Sequence, residues 1–422
     1  MSTVVENRLE TPKKVKGLSD RFYEELREAH DHGEKVVWCL GPVPFIPMVA
    51  MNVRFVHLEN YGARIAARRV AAPIHRIAED WGLSKNACSY LRGAQGMSLC
   101  FAQNIPVPPE VEPYRLPKPD MVVCMNYCVS AVNLAETFAR ELRIPTLIID
   151  GLYHFEDDAR ENYLPYARQN MKEYIAFLEE NVGEPMNYDR LSEAVALLRQ
   201  LAILRDSVVQ HAKDIPAPFT AFEMLLSMGG GALWAGRPES IEYMTALKEE
   251  VEQRVKNKIA AIPNEKMRLM WDFIMVWPKV GYMAKLFASH GAAVVWAPYS
   301  QTAQAYNIET LDPANPVEAL AWEVTFINTM RHIDHRIRSY VKAVEEFSID
   351  GMVGHSPKTC RKIPISQPVY LEEVSKRTGV PYVIFEADHS DPDFYSPAAV
   401  DTRLVAFMEM IESRKARAKG GA

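Results

Sequence analysis

The sequence predicts an α/β protein with two Rossmann-like domains, each a mainly parallel sheet flanked by helices, joined by a helical connector. Short apolar runs alternate with longer amphipathic stretches, which is the pattern of parallel strands connected by helices. The middle of the chain is almost wholly helical in pattern, and the pattern of the first part recurs in the last. With 422 residues the chain is too long for one ordinary core. We therefore expect an N-terminal extension at 1–30, an α/β domain at 31–157, the connector at 158–262 and a second α/β domain at 263–422.

The first domain is predicted to contain four strands. Residues 35–44 fit a strand and a turn, a short helical stretch follows through Met51, and residues 53–59 form the second strand. The third strand follows Asp120 and leads to Cys128. A helix then precedes the fourth strand at 144–150, so this domain reads as repeated strand–helix units.

The connector is predicted to consist of long helices that are charged on one side and apolar on the other. Their predicted ranges are 162–182, 188–212 and 239–261. The proline-containing segment 215–218 and the glycine run 228–231 are expected to interrupt them. The polar ends of the chain, 1–16 and 413–422, are expected to fray.

The second domain repeats the plan of the first. Its strands are predicted at 266–278, at 291–297, after Asp350 and at 380–388. In both halves an aspartate precedes a strand, a cysteine follows eight or ten residues later, and a helix and an X-Pro pair lead to a strand that ends in aspartate. We infer that the halves are structurally equivalent, with their loops converging beyond the carboxyl ends of the strands.

Composition excludes several classes of protein. The net charge of −6 and the lack of a basic stripe interleaved with aromatic residues argue against nucleic-acid binding. The N-terminus lacks the apolar core of a signal peptide, and no run of 18 apolar residues predicts a membrane span. We expect a cytoplasmic protein, in which six cysteines are buried fillers or ligands and not a disulfide framework.

Three of the cysteines, Cys88, Cys128 and Cys360, are each predicted at the point where an element ends and a loop begins. A single cysteine in such a place is usually a small buried hydrophobic residue. The positions of all three, and the repeat, favour ligands of a soft metal or an iron–sulfur cluster instead. With no obvious fourth cysteine, one metal position would be open. The remaining cysteines, Cys39, Cys100 and Cys124, are predicted to be structural.

Polar residues near these cysteines are candidates for chemistry. Glu59 is predicted to end a strand on the same edge, where it would act as general acid or base, or merely form a helix N-cap contact. The residues around Cys360 include cations that would either contact a bound anion or be exposed: His355, Lys358, Arg361 and Lys362. No nucleotide-binding glycine motif is present, so any nucleotide would be bound by another polypeptide.

The chain resembles the 2-hydroxyacyl-CoA dehydratase and benzoyl-CoA reductase family from about residue 30 to 412. The stretches that carry the resemblance are Leu58-Glu-Asn-Tyr-Gly62, Ala87-Cys-Ser-Tyr90, Lys118-Pro-Asp-Met-Val-Val123, Lys358-Thr-Cys360 and the segment 386–396. The resemblance implies a [4Fe–4S] cluster held by three dispersed cysteines, here Cys88, Cys128 and Cys360, with Glu59 as a catalytic carboxyl group.

Within this family the second half is more similar to the larger reductase subunit. The resemblance then implies a subunit that passes electrons to an aromatic acyl-CoA and yields a cyclic dienoyl-CoA. Its implied partners are a paralogous cluster-binding subunit, ATPase subunits with their own [4Fe–4S] cluster, and ferredoxin as the upstream donor.

Two alternatives to a reductase stay open: a subunit of an (R)-2-hydroxyacyl-CoA dehydratase and a non-catalytic cluster-bearing subunit. The loop at 40–44 lacks the serine that dehydratases of the family carry in their first strand–helix loop, which argues against the dehydratase.

Overall fold

Two four-stranded parallel sheets flanked by helices form the protein. The structure is a computed structural model that describes residues 7–153, 160–301, 307–327 and 330–420. The predicted α/β class with two Rossmann-like halves is confirmed. The boundary predicted between residues 157 and 158 lies outside the described residues, and the division into domains stays a prediction.

The first sheet has the strand order β2-β1-β3-β4. Every residue of β1 and of β3 is buried, as expected for parallel strands whose two faces are both covered by helices. The elements of this half are α1 (Thr11–Arg27), β1 (Val36–Leu40), α2 (Ile46–Ala50), β2 (Arg54–His57), α3 (Leu58–Ala67), α4 (Ala71–Asp80), α5 (Ser89–Ala102), β3 (Met121–Met125), α6 (Val129–Leu142) and β4 (Thr146–Ile149).

The second sheet has the order β6-β5-β7-β8, which is the order of the first sheet with each strand replaced by its counterpart. The predicted structural equivalence of the halves therefore holds for the order and direction of the strands. The elements of this half are β5 (Met267–Asp272), α11 (Val280–Ser289), β6 (Ala292–Trp296), α12 (Pro298–Gln301), α13 (Pro316–Thr325), α14 (Ile333–Glu346), β7 (Gly351–Pro357), α15 (Gln367–Thr378), β8 (Tyr382–Ala387) and α16 (Pro397–Gly420).

The same side-chain contact joins the central strands in both sheets. Asp120, directly before β3, accepts a hydrogen bond at 2.8 Å from the amide of Val36 in β1. Asp350, directly before β7, accepts one at 2.8 Å from the amide of Arg268 in β5. The repeated aspartate thus fixes where each strand pair begins.

The described residues between the two sheets form four α-helices: α7 (Arg160–Val182), α8 (Tyr188–Gln210), α9 (Ala221–Gly231) and α10 (Pro238–Lys256). They pack on both halves, since α8 contacts α2 and α13, while α9 contacts α1, α12 and β6. The glycine run that was predicted to interrupt the helices forms the last turn of α9, which ends at Gly231. A Cβ atom on Gly230 would lie 2.7 Å from the ring of Tyr243, so glycine allows α9 to approach α10 closely.

The fraying predicted for residues 1–16 was wrong for the part that the structure describes. Leu9 is buried and its amide donates to Glu223 Oε1 at 2.7 Å, and helix α1 begins two residues later. At the other end α16 continues as a helix to Gly420. None of the helices in the described ranges combines the length and apolarity needed to span a bilayer.

Candidate functional site

The candidate site lies where the carboxyl ends of the strands in both sheets converge. Cys128 follows β3 and is the residue before α6, and Cys360 lies three residues after β7. Cys88 comes from the loop before α5 and is the N-cap residue of that helix. All three thiols are free and partly buried.

Hydrogen bonds between neighbouring residues bring the Cys88 and Cys360 loops together. Ser89, directly after Cys88, donates its amide hydrogen to the hydroxyl of Thr359, directly before Cys360, at 3.0 Å. Both Ser89 and Thr359 are fully buried. Residues 270 positions apart in sequence are therefore in direct contact beside the two cysteines.

A second contact brings the Cys128 loop to the Cys360 loop. The ammonium group of Lys362 donates to the carbonyl of Tyr127, the residue before Cys128, and lies 5.2 Å from the centroid of its ring. The structure thus brings all three predicted cysteine loops to one place between the two sheets.

The thiols also affect one another electrostatically. Burial raises the pKa of Cys88 well above its usual value, and the charges of Cys360 and Cys128 raise it further. Burial likewise raises the pKa of Cys360, while the amides of Ile363 and Lys362 lower it. Without a metal Cys88 and Cys360 are therefore protonated at neutral pH, and a metal would have to displace their protons.

Lys362 supplies positive charge beside these sulfurs. Its pKa is lowered by burial, whereas the charges of Cys128 and Cys360 act in the opposite direction. A half-buried ammonium group of this kind would offset part of the negative charge of bound thiolates. Of the cations predicted near Cys360, Lys362 contacts the loop of Cys128, and Arg361 donates to the carbonyl of Asn86 in the loop of Cys88 at 3.0 Å.

Glu59 was predicted to end a strand, but β2 ends at His57 and Glu59 lies in the first turn of helix α3. Its Oε1 accepts hydrogen bonds from the amide of Gly41 at 2.8 Å and from the hydroxyl of Tyr127 at 2.9 Å. Its Oε2 is shielded from solvent and has no hydrogen-bond partner among the described residues. Burial raises the pKa of the carboxyl group, although its own amide, Gly41 and Tyr127 lower it in part.

The loop after β1 takes part in this arrangement through Gly41. Gly41 has φ of 78°, and a Cβ atom there would overlap the ring of Tyr127. Only glycine satisfies both conditions without strain. The loop therefore orients the Glu59 carboxyl group even though it contains no serine.

Tyr299 is the counterpart of Glu59 in the second half. Trp38 of β1 pairs with Val56, and the equivalent Met270 of β5 pairs with Trp296. Three residues beyond these partners lie Glu59 and Tyr299, each in the first turn of a helix. Burial raises the pKa of Tyr299 to about 12, and the charge of Glu59 contributes to the increase.

Other predicted candidates lie elsewhere. Cys39 is buried in β1 and Cys124 in β3, as expected for core residues, and Cys100 is buried in α5. His355 lies in strand β7 and not in a loop. It is fully buried with Nδ1 2.7 Å from the carbonyl of Ile274, so it does not face an external anion.

Sequence reasoning missed three neighbours of the site: Tyr127, Tyr299 and His389. His389 lies in the loop after β8, with its Nε2 3.7 Å from the sulfur of Cys88. Tyr299 could not be found by aligning the two halves residue by residue, because the register between β5 and β6 shifts by one residue after Leu269. The contacts of Tyr127 and His389 depend on how the two halves are docked, and this docking cannot be inferred from a local sequence pattern.

The donor set of the site consists of thiols. Within the described ranges, no group of three or more His, Cys, Asp or Glu side chains is positioned around one metal ion. Three free thiols from three loops, with amides directed at two of the sulfurs, have the chemistry that iron–sulfur clusters require.

The fold and the site together define an α/β protein with two parallel sheets, in which three cysteine loops meet beyond the carboxyl ends of the strands. The family described as 2-hydroxyglutaryl-CoA dehydratase, D-component, matches residues 34–411, and the chain belongs to this family. The resemblance inferred from the sequence is thereby confirmed.

Curated relatives cover nearly the whole chain. The lactoyl-CoA dehydratase subunit alpha of Anaerotignum propionicum is 27% identical over 94% of this chain and 95% of its own. The (R)-2-hydroxyisocaproyl-CoA dehydratase alpha subunit of Clostridioides difficile is 26% identical over 96% and 97%. A benzoyl-CoA reductase subunit of Thauera aromatica is 27% identical over 94% and 93%. This chain is thus similar to subunits of both kinds of enzyme.

Proposed function

We propose that the chain is the cluster-binding subunit of an ATP-dependent aromatic acyl-CoA reductase, with a [4Fe–4S] cluster held by Cys88, Cys128 and Cys360. The observation that carries the proposal is the convergence of three distant cysteine loops through the Ser89–Thr359 and Lys362–Tyr127 contacts. Three cysteine ligands leave one iron free for substrate.

When bound, the cluster would supply single electrons of low potential. That potential would depend on the net charge of the cluster, on hydrogen bonds to its sulfurs and on its exposure to solvent. The protein's own part is to deliver protons. Burial keeps Glu59 protonated to a higher pH than a free glutamate, and Gly41 and Tyr127 hold Oε1 so that Oε2 is left for the proton. Glu59 would therefore act as a general acid toward a substrate that gains electrons.

A dehydratase subunit is the second candidate. It is favoured by the relatives, several of which are dehydratase alpha subunits. The reductase is favoured by the loop after β1, where an amide of Gly41 and not a serine hydroxyl faces Glu59. A non-catalytic cluster-bearing subunit is the third, and it would show no spectroscopic change of its cluster when acyl-CoA is added.

The expected partners follow from the same proposal. The relatives are named as subunits, which supports assembly with a paralogous cluster-binding subunit. No nucleotide-binding glycine motif occurs in the sequence, so ATPase subunits with their own cluster would bind ATP and receive electrons from ferredoxin. The proposed location of the complex is the cytoplasm.

Iron and sulfide analysis of anaerobically purified variants tests the ligands. We expect Cys88→Ala, Cys128→Ala and Cys360→Ala each to lose bound iron, because each removes one of three thiolates. Cys124→Ala, which removes a buried thiol from the adjacent strand, should retain it. Normal iron content in the Cys360→Ala protein would refute the assignment.

Product analysis tests the reaction. The complex is co-purified anaerobically and assayed with benzoyl-CoA and with a 2-hydroxyacyl-CoA. The proposal requires two-electron reduction of benzoyl-CoA with stoichiometric ATP hydrolysis. Loss of water from the 2-hydroxyacyl-CoA with only trace ATP use would establish the dehydratase instead.

A further inference from the structure

His389 contacts a proposed cluster ligand from the opposite half of the protein. The imidazole is fully buried in the loop after β8. Its Nε2 lies 3.7 Å from the sulfur of Cys88 and 3.0 Å from the hydroxyl oxygen of Ser89. The ring of Tyr90 packs edge-on at 4.1 Å between centroids and limits rotation of the imidazole.

The hydrogen-bond network determines which nitrogen of His389 carries the proton. Asp388 is surrounded by donors: the hydroxyls of Ser89 and Thr359 and the amides of Thr359, Ser390 and Asp391. A carboxylate that receives five such hydrogen bonds acts as acceptor, so the Ser89 hydroxyl gives its hydrogen to Asp388. The oxygen of Ser89 can then only accept from His389, so Nε2 carries a hydrogen, while Nδ1 lies 3.6 Å from Asp388 Oδ2.

We propose that His389 donates its Nε2–H to the sulfur of Cys88 when that sulfur is a thiolate ligand, and so raises the reduction potential of the cluster. The inference rests on the proposed cluster site. A hydrogen bond to a ligand sulfur stabilises the more negative, reduced state. His389 is thus a positioning residue that shares one N–H between Ser89 and Cys88.

This contact joins the two halves at the cluster. Cys88 precedes α5 in the first half, while His389 follows β8 in the second. The carbonyl of His389 also accepts the amide of Trp277, which holds the loop in place. The potential of the cluster therefore depends on how the halves are docked.

The experiment measures the midpoint potential by EPR-monitored titration of the anaerobically loaded protein, together with its iron and sulfide content. His389→Leu, which removes the donor, should shift the potential to more negative values at unchanged iron content. His389→Gln keeps an N–H donor on a side chain of comparable reach and should stay near the wild type. Ser89→Ala removes the oxygen that competes for the N–H of His389, so that the hydrogen bond goes to the sulfur alone. The potential of this variant should shift in the positive direction.

His75→Leu is the matched control, because it also removes a buried imidazole, here on α4, whose Nε2 has no hydrogen-bond partner among the described residues. An unchanged potential in fully loaded His389→Leu overturns the inference. If that variant loses iron, Ser89→Ala decides: a positive shift supports the inference and an unchanged potential overturns it. Absence of iron from the wild-type protein would instead refute the proposed function itself.

Discussion

The two oxygens of the Glu59 carboxyl group have different surroundings. Oε1 receives two hydrogen bonds, whereas Oε2 is buried without a partner among the described residues. Burial disfavours the charged form and raises the pKa, so the group keeps its proton at a higher pH than glutamate in water. A general acid with this property loses activity as the pH rises through its raised pKa.

Glu59→Gln should therefore reduce turnover by about 10²–10⁴-fold, because glutamine still accepts from Gly41 and Tyr127 but has no proton to give. The alkaline limb of the pH–rate profile should disappear in this variant. Steady-state kinetics of the assembled complex between acid and alkaline pH provide the measurement.

Tyr127→Phe is the companion variant, since it removes a hydrogen bond that lowers the Glu59 pKa. Its alkaline limb should move to higher pH. A wild-type rate for Glu59→Gln, or a limb that does not move in Tyr127→Phe, would rule out Glu59 as the acid.

Individual site residues could be predicted from sequence when their chemistry is rare and their position repeats. Cys128 and Cys360 satisfy both conditions, because each follows the third strand of its half. The location of Glu59 near the strand ends was also predictable, although its helical first turn was not. His389 could not be inferred, since a buried histidine is usually structural and its contact with Cys88 spans 301 residues of sequence.

At the scale of elements, each pair of central strands is fixed by an aspartate that accepts a strand amide. Hydrogen bonds from the Val36 amide, His30 and Lys35 lower the pKa of Asp120 although burial opposes them. A carboxyl group with a depressed pKa in the folded state stabilises the protein above its ordinary pKa. This stability is lost as the pH falls through the folded-state pKa.

Asp120→Ala should lower the free energy of unfolding at neutral pH by about 1–3 kcal/mol, because the buried amide of Val36 loses its acceptor. The deficit relative to the wild type should shrink in acid, where Asp120 itself becomes protonated. Urea unfolding followed by circular dichroism at neutral and acidic pH gives the comparison.

Asp350→Ala is the equivalent variant in the second sheet, and the exposed Asp31→Ala is the control. If the Asp120 and Asp31 variants unfold at the same urea concentration, the aspartate contact does not stabilise the strand pair.

The central strands β1, β3 and β5 were predictable because their apolar runs are fully buried, but the ends of the strands were not. The run predicted as a strand at 266–278 extends past β5, which ends at Asp272. Phe273 adopts φ of 69° and turns the chain, while the following residues stay buried. An apolar run indicates that its residues are buried, but it does not indicate where the backbone turns and the strand ends.

At the scale of the molecule, the contact between the halves beside the site is polar and buried. Arg92 of α5 is fully buried, and it donates to Asp391 of the second half at 2.6 Å and to Glu79 of its own half. Lys362 and Ser89 add contacts between the halves at the cysteine loops. These buried polar contacts determine how the two halves are docked more than they stabilise the protein. The cost of removing the charged groups from water offsets most of the attraction between them.

Arg92→Met tests this role. The substitution fills similar volume but leaves Asp391 buried without its cation, so we expect the free energy of unfolding to fall by about 3–5 kcal/mol. The exposed pair of Arg377 with Glu373 provides the control. Arg377→Met should change the free energy of unfolding by less than about 1 kcal/mol.

Arg92→Met also tests whether the docking of the two halves positions the cysteine loops. Because the Cys88 loop is positioned by contacts across this interface, Arg92→Met should also bind less iron after anaerobic loading at a temperature where it is still folded. Adding Asp391→Asn to Arg92→Met should recover part of the lost stability, since it removes the unpaired charge. An Arg92→Met protein with wild-type unfolding and full iron content would show that α5 and the second half are held together by other contacts.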